Sequence, residues 1–320
     1  MLNTVNQLKG LRSELESALK LIENNSFTGT TSTSSNSKNL NVQLEQTDSL
    51  LARCEKIVNE KKGVQKPTLR IIHHFACSGG TLISKCLASM PNVYLLSEVH
   101  PLSQNHISSK PKYLPTDITT LARYAKIPNV DVLAEKLFVN NIREAEAFVR
   151  EGGGQLVLRE HTHIDFCLGD MASSCSVVDD CLKAHFNLKH LVTVRNPIDS
   201  YLSLMVNGWV QFSPNTFDEY CKRLIEFIKQ YPAKNVLRYE DFVQNPDKQM
   251  HKICKLLELN FDERYRDIFS IFTVTGDSGR KSDDIALRPR REIDKSFSNE
   301  IKRSKNFKLV SKMLNYKDKV

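Results

Sequence analysis

HHFACSGGTLISKCLASMPN, residues 73–92, decides how this chain folds. The apolar run Leu69–Phe75 has the character of a buried strand. It breaks at Ser78-Gly79-Gly80-Thr81, and a helical pattern follows at once. A strand, a tight glycine turn and a helix N-terminus gather backbone N–H groups and the positive end of a helix dipole around one point, which makes an anion cradle. Glycine lets the backbone approach an oxyanion closely, and the hydroxyls of Ser78 and Thr81 can add donors. A purely structural strand-to-helix turn has the same local signature. The lysine-bearing GxxxxGK[ST] loop of nucleoside-triphosphate enzymes occurs nowhere in the chain, so the usual ligand of such a turn does not explain it.

Outward from this turn the pattern alternates. Strands are expected at Leu69–Phe75, Val93–Leu96, Gln155–Arg159, His190–Val194 and Asn235–Tyr239, and helices around 81–90, 131–150, 197–207, 216–230 and 247–258. Strands separated by helices imply a parallel sheet covered on both faces, a three-layer α/β fold of the P-loop-like kind. Ligands of such sheets gather at the carboxyl ends of the strands. Cys77–Thr81, Glu98, Arg159–His163, Arg195 and Arg238–Asp241 are therefore expected to converge.

Three further stretches carry chemistry. In LVTVRNPIDSYLSLMVNGW (191–209) an apolar strand ends in Arg195, Pro197 opens a helix, and Ser203 lies eight residues beyond the arginine. A kinase would place an aspartate at such a strand end to hold Mg²⁺. An arginine there suits a phosphate bidentately, although a salt bridge to Asp199 or Glu240 would also occupy it. NVLRYEDFVQNPDKQMHKICKLLEL (235–259) reads as a strand, a Tyr-Glu-Asp turn and an amphipathic helix. VTGDSGRKSDDIALRPRRE (274–292) is glycine-containing and basic, and its Arg280, Lys281, Arg288, Arg290 and Arg291 either close over a phosphorylated ligand or form a solvated loop.

Taken together and in this order, the motifs resemble the sulfotransferase family, which uses 3′-phosphoadenosine 5′-phosphosulfate, over roughly residues 66 to 292. The resemblance implies that Cys77, Ser78, Gly79, Gly80, Thr81 and Leu82 form the loop around the 5′-phosphosulfate, and that Arg195 and Ser203 hold the 3′-phosphate. It implies that Tyr239 lies near the adenosine, and that Ser278, Gly279, Arg280 and Lys281 belong to a closing cofactor loop like that of bacterial members. A phosphosulfate carries few charges, so N–H groups, hydroxyls and Arg or Lys can neutralise it without a metal, and no metal is expected. Transfer to an acceptor hydroxyl needs a general base beside the sulfur and cations on the leaving phosphate.

Glu98 is the first candidate base. It follows the Val93–Leu96 strand at the distance from the loop found in the family's tyrosine-protein branch, and apolar neighbours are expected to raise its pKa. His161 and His163 of REHTHIDF are the second, because in an extended stretch they point the same way. A structural ion pair for Glu98, and core or surface positions for the histidines, are the plainer alternatives. One position departs from the family: the Lys or Arg usual before Ser-Gly is Cys77 here. Lys85, Arg280 or Lys281 would have to supply the missing charge, or the protein would be slow or bind without catalysing.

Composition sets the remaining bounds. With 320 residues, 40% hydrophobic and 26% charged, the chain can bury a full-sized core, and its net charge of +8 favours anionic ligands. No apolar run is long enough to span a membrane, and residues 1–20 lack a signal-peptide core. Eight cysteines are scattered without a CxxC pair, which fits a reduced cytoplasm. Residues 1–25 and 40–62 read as amphipathic helices with short heptad patterns, joined by a Ser/Thr-rich linker at 26–39. They form either a coiled-coil-like arm that makes homo-oligomers or two loose surface helices. Residues 66–320 then form the sulfotransferase-like α/β domain. The acceptor is expected to be a carbohydrate or glycolipid hydroxyl. Two other functions stay open at this point: a small-molecule kinase, which the lysine-free loop argues against, and a non-catalytic adaptor, which Cys77 favours. Nucleic-acid binding is not expected, since the basic residues lack interleaved aromatics.

Overall fold

The computed structural model describes residues 17, 66–104, 107, 110, 112–276, 284–287 and 289–316. The expected arm and linker (1–25, 26–39 and 40–62, Ser17 apart) and Ser278, Gly279, Arg280 and Lys281 of the expected closing loop lie outside them, as does Arg288. The chain divides into two compact units, Met1–Gly63 and Val64–Val320, and every strand and helix named below belongs to the second.

The chain runs β1 (Thr68–His74), α1 (Gly80–Ala88), β2 (Val93–Val99), α2 (Val130–Glu151), β3 (Gln155–Glu160), β4 (Leu168–Gly169), α3 (Val177–Leu182), β5 (Asn187–Val194), α4 (Pro197–Val206) and β6 (Gln211–Phe212). It continues with α5 (Phe217–Lys229), β7 (Val236–Arg238), α6 (Tyr239–Gln244), α7 (Pro246–Leu257), α8 (Lys295–Arg303) and α9 (Lys305–Met313). Five strands form one sheet in the order β2-β3-β1-β5-β7, every neighbouring pair parallel. The chain winds from β1 out to β2 and back to β3, then crosses to β5 and β7. The winding therefore reverses at β1, and the crevice beyond its carboxyl end is where such a sheet binds ligands. β4 and β6 make a separate two-stranded pair.

β1, β3 and the second half of β5 are buried on both sides, whereas the edge strand β2 leaves Tyr94 and Leu96 exposed. On one face Ile72, Val157, Leu191 and Leu237 pack with Ile83 and Leu87 of α1 and with Met250 and Ile253 of α7. On the other, Phe75, Val192 and Val194 meet α5, α8 and α9, while Leu69, Ile71 and Leu158 meet α2 and α3. All five expected strands and all five expected helices form, within a few residues of the expected ends. Two helices beyond residue 258 are not expected from the pattern. α8 and α9 are nonetheless capped by Asp294 and Ser304, whose side chains accept from the N–H groups of Phe297 and Phe307. Among the described residues no helix is long and apolar enough to cross a membrane.

One buried charge fixes the segment beneath the site. Arg223 of α5 has no solvent exposure. It pairs with Glu219 at 2.9 Å and donates to the carbonyls of Phe166 (3.3 Å), Leu168 (3.1 Å) and Gly169 (2.9 Å). These carbonyls follow directly on the His161–His163 stretch, so the arginine sets its position. Arg223→Ala removes the partner of a buried acid and of three carbonyls. We expect it to cost about 3–5 kcal/mol, measured as a lowered midpoint in urea with an unchanged slope.

Candidate functional site

The turn after β1 is built as the sequence suggests. Gly79 has φ of 82°, in the left-handed region, and α1 begins at Gly80 with no side-chain cap. The N–H groups of Gly79, Gly80 and Thr81 have no backbone acceptor among the described residues, so they remain available to an anion. Ser78 is fixed instead by its own partners. Its N–H donates to the Phe75 carbonyl at 3.0 Å, and its hydroxyl meets Thr193 Oγ1 at 3.2 Å. No side chain is tolerated at Gly79 because a Cβ there would run into the Tyr239 ring, and one at Gly80 would meet the His74 ring. Cys77, just before, also takes positive φ (61°). Its half-buried thiol is pushed up to about 11 by burial, so it is neutral.

This turn forms one wall of a cavity of about 580 Å³ at the carboxyl edge of the sheet. Cys77, Ser78, Gly79, Gly80, Thr81, Leu82, Glu98, His161, His163, Arg195, Ser203 and Tyr239 all line it, the full set of expected site residues that the structure describes. Arg195 stands over the Tyr239 ring, its guanidinium carbon 5.1 Å from the ring centroid. It forms no salt bridge with Asp199 or Glu240. Asp199 is taken by Arg290 at 3.0 Å, and Glu240 accepts from the Asn196 N–H at 2.9 Å and from the Tyr316 hydroxyl at 2.7 Å. Lys85 and Arg291 add two more cationic side chains to the lining.

The opposite wall holds the candidate base. Glu98 sits at a bulge near the end of β2, with φ of 59°, a costly conformation for a glutamate. Its Oε1 pairs with Arg159 at 2.8 Å and lies 3.4 Å from His74 Nε2. His161 Nε2 is 3.8 Å from Oε2, too far for a hydrogen bond. Arg159 ties this wall together: it also donates to Ser97 Oγ (3.1 Å), Thr81 Oγ1 (3.2 Å) and the Thr275 carbonyl (3.0 Å). Arg159 is in the expected convergent set without a role, and His74 is not in it. The signal for both was available, since each ends a buried strand beside the glycine turn.

The expected rise in the Glu98 pKa is not found. Burial pushes it up most, but His74 beside it, then the permanent charge of Arg159, outweigh burial and hold the carboxyl at about 2. Glu98 is thus an ion-paired carboxylate and a poor base. Burial acts the other way on the histidines. It holds His161 down to about 4 against the pull of Glu98, and it lowers His163 and His74 as well, so all three rings are neutral near pH 7. The two rings of REHTHIDF do come together, 6.2 Å apart and nearly parallel, but not as an extended strand. β3 ends at Glu160, and Thr162 (φ −58°, ψ −17°) turns the chain into a helical turn that brings His163 back beside His161.

A family model described as the sulfotransferase family matches residues 72–263. No curated protein matches the chain. Among solved structures, the sulfotransferase domain of the Synechococcus PCC 7002 olefin synthase is 17% identical, with a TM-score of 0.48, over 80% of this chain and 98% of that one. A sulfotransferase from Alicyclobacillus acidocaldarius is 14% identical, with a TM-score of 0.34, over 65% of this chain and 91% of that one. A mouse sulfotransferase complexed with PAP is 12% identical, with a TM-score of 0.35, over 76% and 87%.

Two outcomes test this geometry. Gly79→Ala combines a positive φ with a clash against Tyr239, and is expected to abolish anion binding at the turn while the protein remains folded by circular dichroism. The second concerns pH. His161 is held at about 4 against 6.5 for a free ring, so the unfolded chain takes up a proton between those values that the folded chain refuses. Stability should therefore fall as pH drops from 6.5 to 4, by up to about 3 kcal/mol from this ring alone. His161→Asn should flatten that slope, although His163 and His74 act in the same direction and leave part of it.

Proposed function

The chain belongs to the sulfotransferase family, and from that premise we propose that it moves a sulfuryl group from 3′-phosphoadenosine 5′-phosphosulfate to an acceptor hydroxyl. The observation that carries this is the pairing of two anion-binding features on one cavity: the uncapped Gly79–Thr81 turn, and Arg195 with Ser203 on the next strand and helix. The first suits the 5′-phosphosulfate and the second a 3′-phosphate, with the Tyr239 ring between them for the base to lie against. The residues fit the nucleotide. They offer N–H groups, hydroxyls and cations, and the cavity volume suits a ligand of that size. When bound, the nucleotide supplies the activated sulfuryl group. Ser278, Gly279, Arg280 and Lys281 are proposed to complete its enclosure.

The protein's own part in the reaction is to hold charge and take a proton. Lys85 and Arg291 are proposed to carry the cationic role that Cys77 cannot, stabilising negative charge on the leaving phosphate. The acceptor's proton is proposed to pass to His161 Nε2, which is neutral near pH 7 and faces the cavity. Glu98, fixed by Arg159, stands beside it and would stabilise the imidazolium that forms. His163, bonded through Nε2 to Gln211 at 3.1 Å, would steer the acceptor. A saccharide or glycolipid hydroxyl remains the proposed acceptor class, a homo-oligomer through residues 1–60 the proposed assembly, and the cytoplasm the proposed location.

Calorimetric titration with 3′-phosphoadenosine 5′-phosphate tests the donor site. Micromolar affinity is expected, at least tenfold weaker with AMP or in Arg195→Ala. Equal binding of AMP would overturn the assignment. With an acceptor in hand, His161→Asn should lower kcat about 100-fold or more with little change in nucleotide affinity. Glu98→Gln should lower it less and shift the acidic limb of the pH–rate profile downward, because the imidazolium loses its counter-charge.

A further inference from the structure

His73 and His74 are neighbours on β1, and Arg159 and Glu160 are neighbours on β3, so one of each pair faces either side of the sheet. His74 and Arg159 serve the cavity just described. His73 and Glu160, with no solvent exposure, turn to the opposite face, toward α3 and the end of α5. There they meet His190 of β5 and Asp179 of α3 in a cluster that sulfuryl transfer does not use.

We propose that His73, His190 and Asp179 form a zinc site. The ligand atoms stand as they would around one small ion. His73 Nε2 is 3.0 Å from His190 Nδ1 and 3.6 Å from Asp179 Oδ1, and His190 Nδ1 is 3.6 Å from Asp179 Oδ2. Bonds of about 2.0–2.1 Å in a tetrahedron put neighbouring ligand atoms roughly 3.3–3.4 Å apart. The two ring nitrogens, and each ring nitrogen with the carboxylate oxygen nearer to it, lie close to that spacing, and one ligand atom from each residue fits within 4.8 Å of the others. An octahedral site with such bonds would need closer packing. The carboxylate is also too far from either ring nitrogen for a hydrogen bond. The Tyr231 hydroxyl, 3.1 Å from His73 Nδ1, also bears on Asp179, but Asp179 Oδ1 stays a buried oxygen with no hydrogen-bond partner. A group arranged this way is poorly satisfied by its neighbours and well satisfied by a cation between them.

The surroundings support the same assignment. His73 Nδ1 is bonded to the Glu160 carboxylate, which also accepts from Ser176 Oγ at 2.5 Å. With Nδ1–H donated there, Nε2 presents its lone pair to the cluster, the carboxylate–histidine–metal arrangement that fixes tautomer and ring orientation. Two neutral imidazoles, two carboxylates and Zn²⁺ sum to zero. Without the ion, a His73 ring whose pKa is raised, burial being outweighed by the neighbouring Glu160 and Asp179, offsets one of the two carboxylates, so zinc would displace that proton. The site is not sealed, since the side chains of Asp179 and His190 retain 21% and 22% exposure, enough for an ion to enter and for water to take the fourth position. Bound there, zinc would clamp α3 to β1 and β5, directly behind the strands that carry His74 and Arg159. Its role would be structural, and it stands apart from the cavity.

The test uses the full chain after treatment with a chelator, titrated with Zn²⁺ and separately with Co²⁺. One ion per chain is expected, with a Tm rise of roughly 5–10 °C at zinc about 100-fold above Kd. Bound Co²⁺ should show the strong visible bands of a tetrahedral site. His190→Gln and Asp179→Asn should fold, by circular dichroism, and lose both the Tm rise and the cobalt bands. His190→Gln should still bind 3′-phosphoadenosine 5′-phosphate with native affinity if that donor assignment is right, so the two proposals fail separately. No Tm rise with zinc in the native chain, or an equal rise in both variants, would overturn the site.

Discussion

The guanidinium of Arg159 is the contact on which the candidate site depends. It is almost wholly buried at the end of β3, and a buried cation is tolerated only where its charge is compensated. It is met by groups from four segments: Glu98 and Ser97 of β2, His74 of β1, Thr81 of α1, and the carbonyl of Thr275 from a stretch more than a hundred residues away. Satisfying one charge thus registers the glycine turn, the candidate acid–base wall and the flank of the basic segment against one another. The same contact decides the chemistry of Glu98. A carboxylate held by a permanent cation stays ionised and gives up its value as a base, which is why the proposed base is the neutral ring beside it.

The sheet supplies the frame for this contact. Five parallel strands end along one edge, and the reversal of winding at β1 leaves a crevice there that neighbouring loops cannot cover. The turn after β1 can only be glycine at Gly79, because φ is positive and the Tyr239 ring lies against it. Tyr239 therefore does two things: it forbids a side chain on the turn, and it offers a face to Arg195. Residues 73–74 and 159–160 show how close two environments can lie in such a sheet. Alternation on adjacent strands sends a cation and a neutral ring to the cavity, and a ring and a carboxylate to the far face, within a single residue of each other.

Much of this was legible beforehand. The strands were plain because the inner strands of a parallel sheet bury both faces and so print apolar-rich runs such as Leu69–Phe75 and Leu191–Val194, whose Arg70, His73, His74 and Thr193 are the polar exceptions. Their helices were plain from spacing, and the convergence of Ser78–Thr81, Glu98, His161 and Arg195 followed from the rule that ligands collect at strand ends. The helices Lys295–Arg303 and Lys305–Met313 were missed because their polar faces hide a short apolar stripe, and only packing on the Phe217–Lys229 helix shows what that stripe is for.

What the sequence determined by itself is the frame: an α/β sheet, a glycine turn without lysine, an arginine rather than an acid at the end of β5, and an uncharged cysteine before the turn. Those depend on local pattern and residue chemistry, which a linear string records. The tertiary structure alone decided the protonation of Glu98, the helical turn that pairs His161 with His163, the freedom of Arg195 from Asp199 and Glu240, and the gathering of His73, Asp179 and His190. Each of these is set by which distant group fills the space beside a side chain, and a pKa, a rotamer or a ligand set is a property of that space.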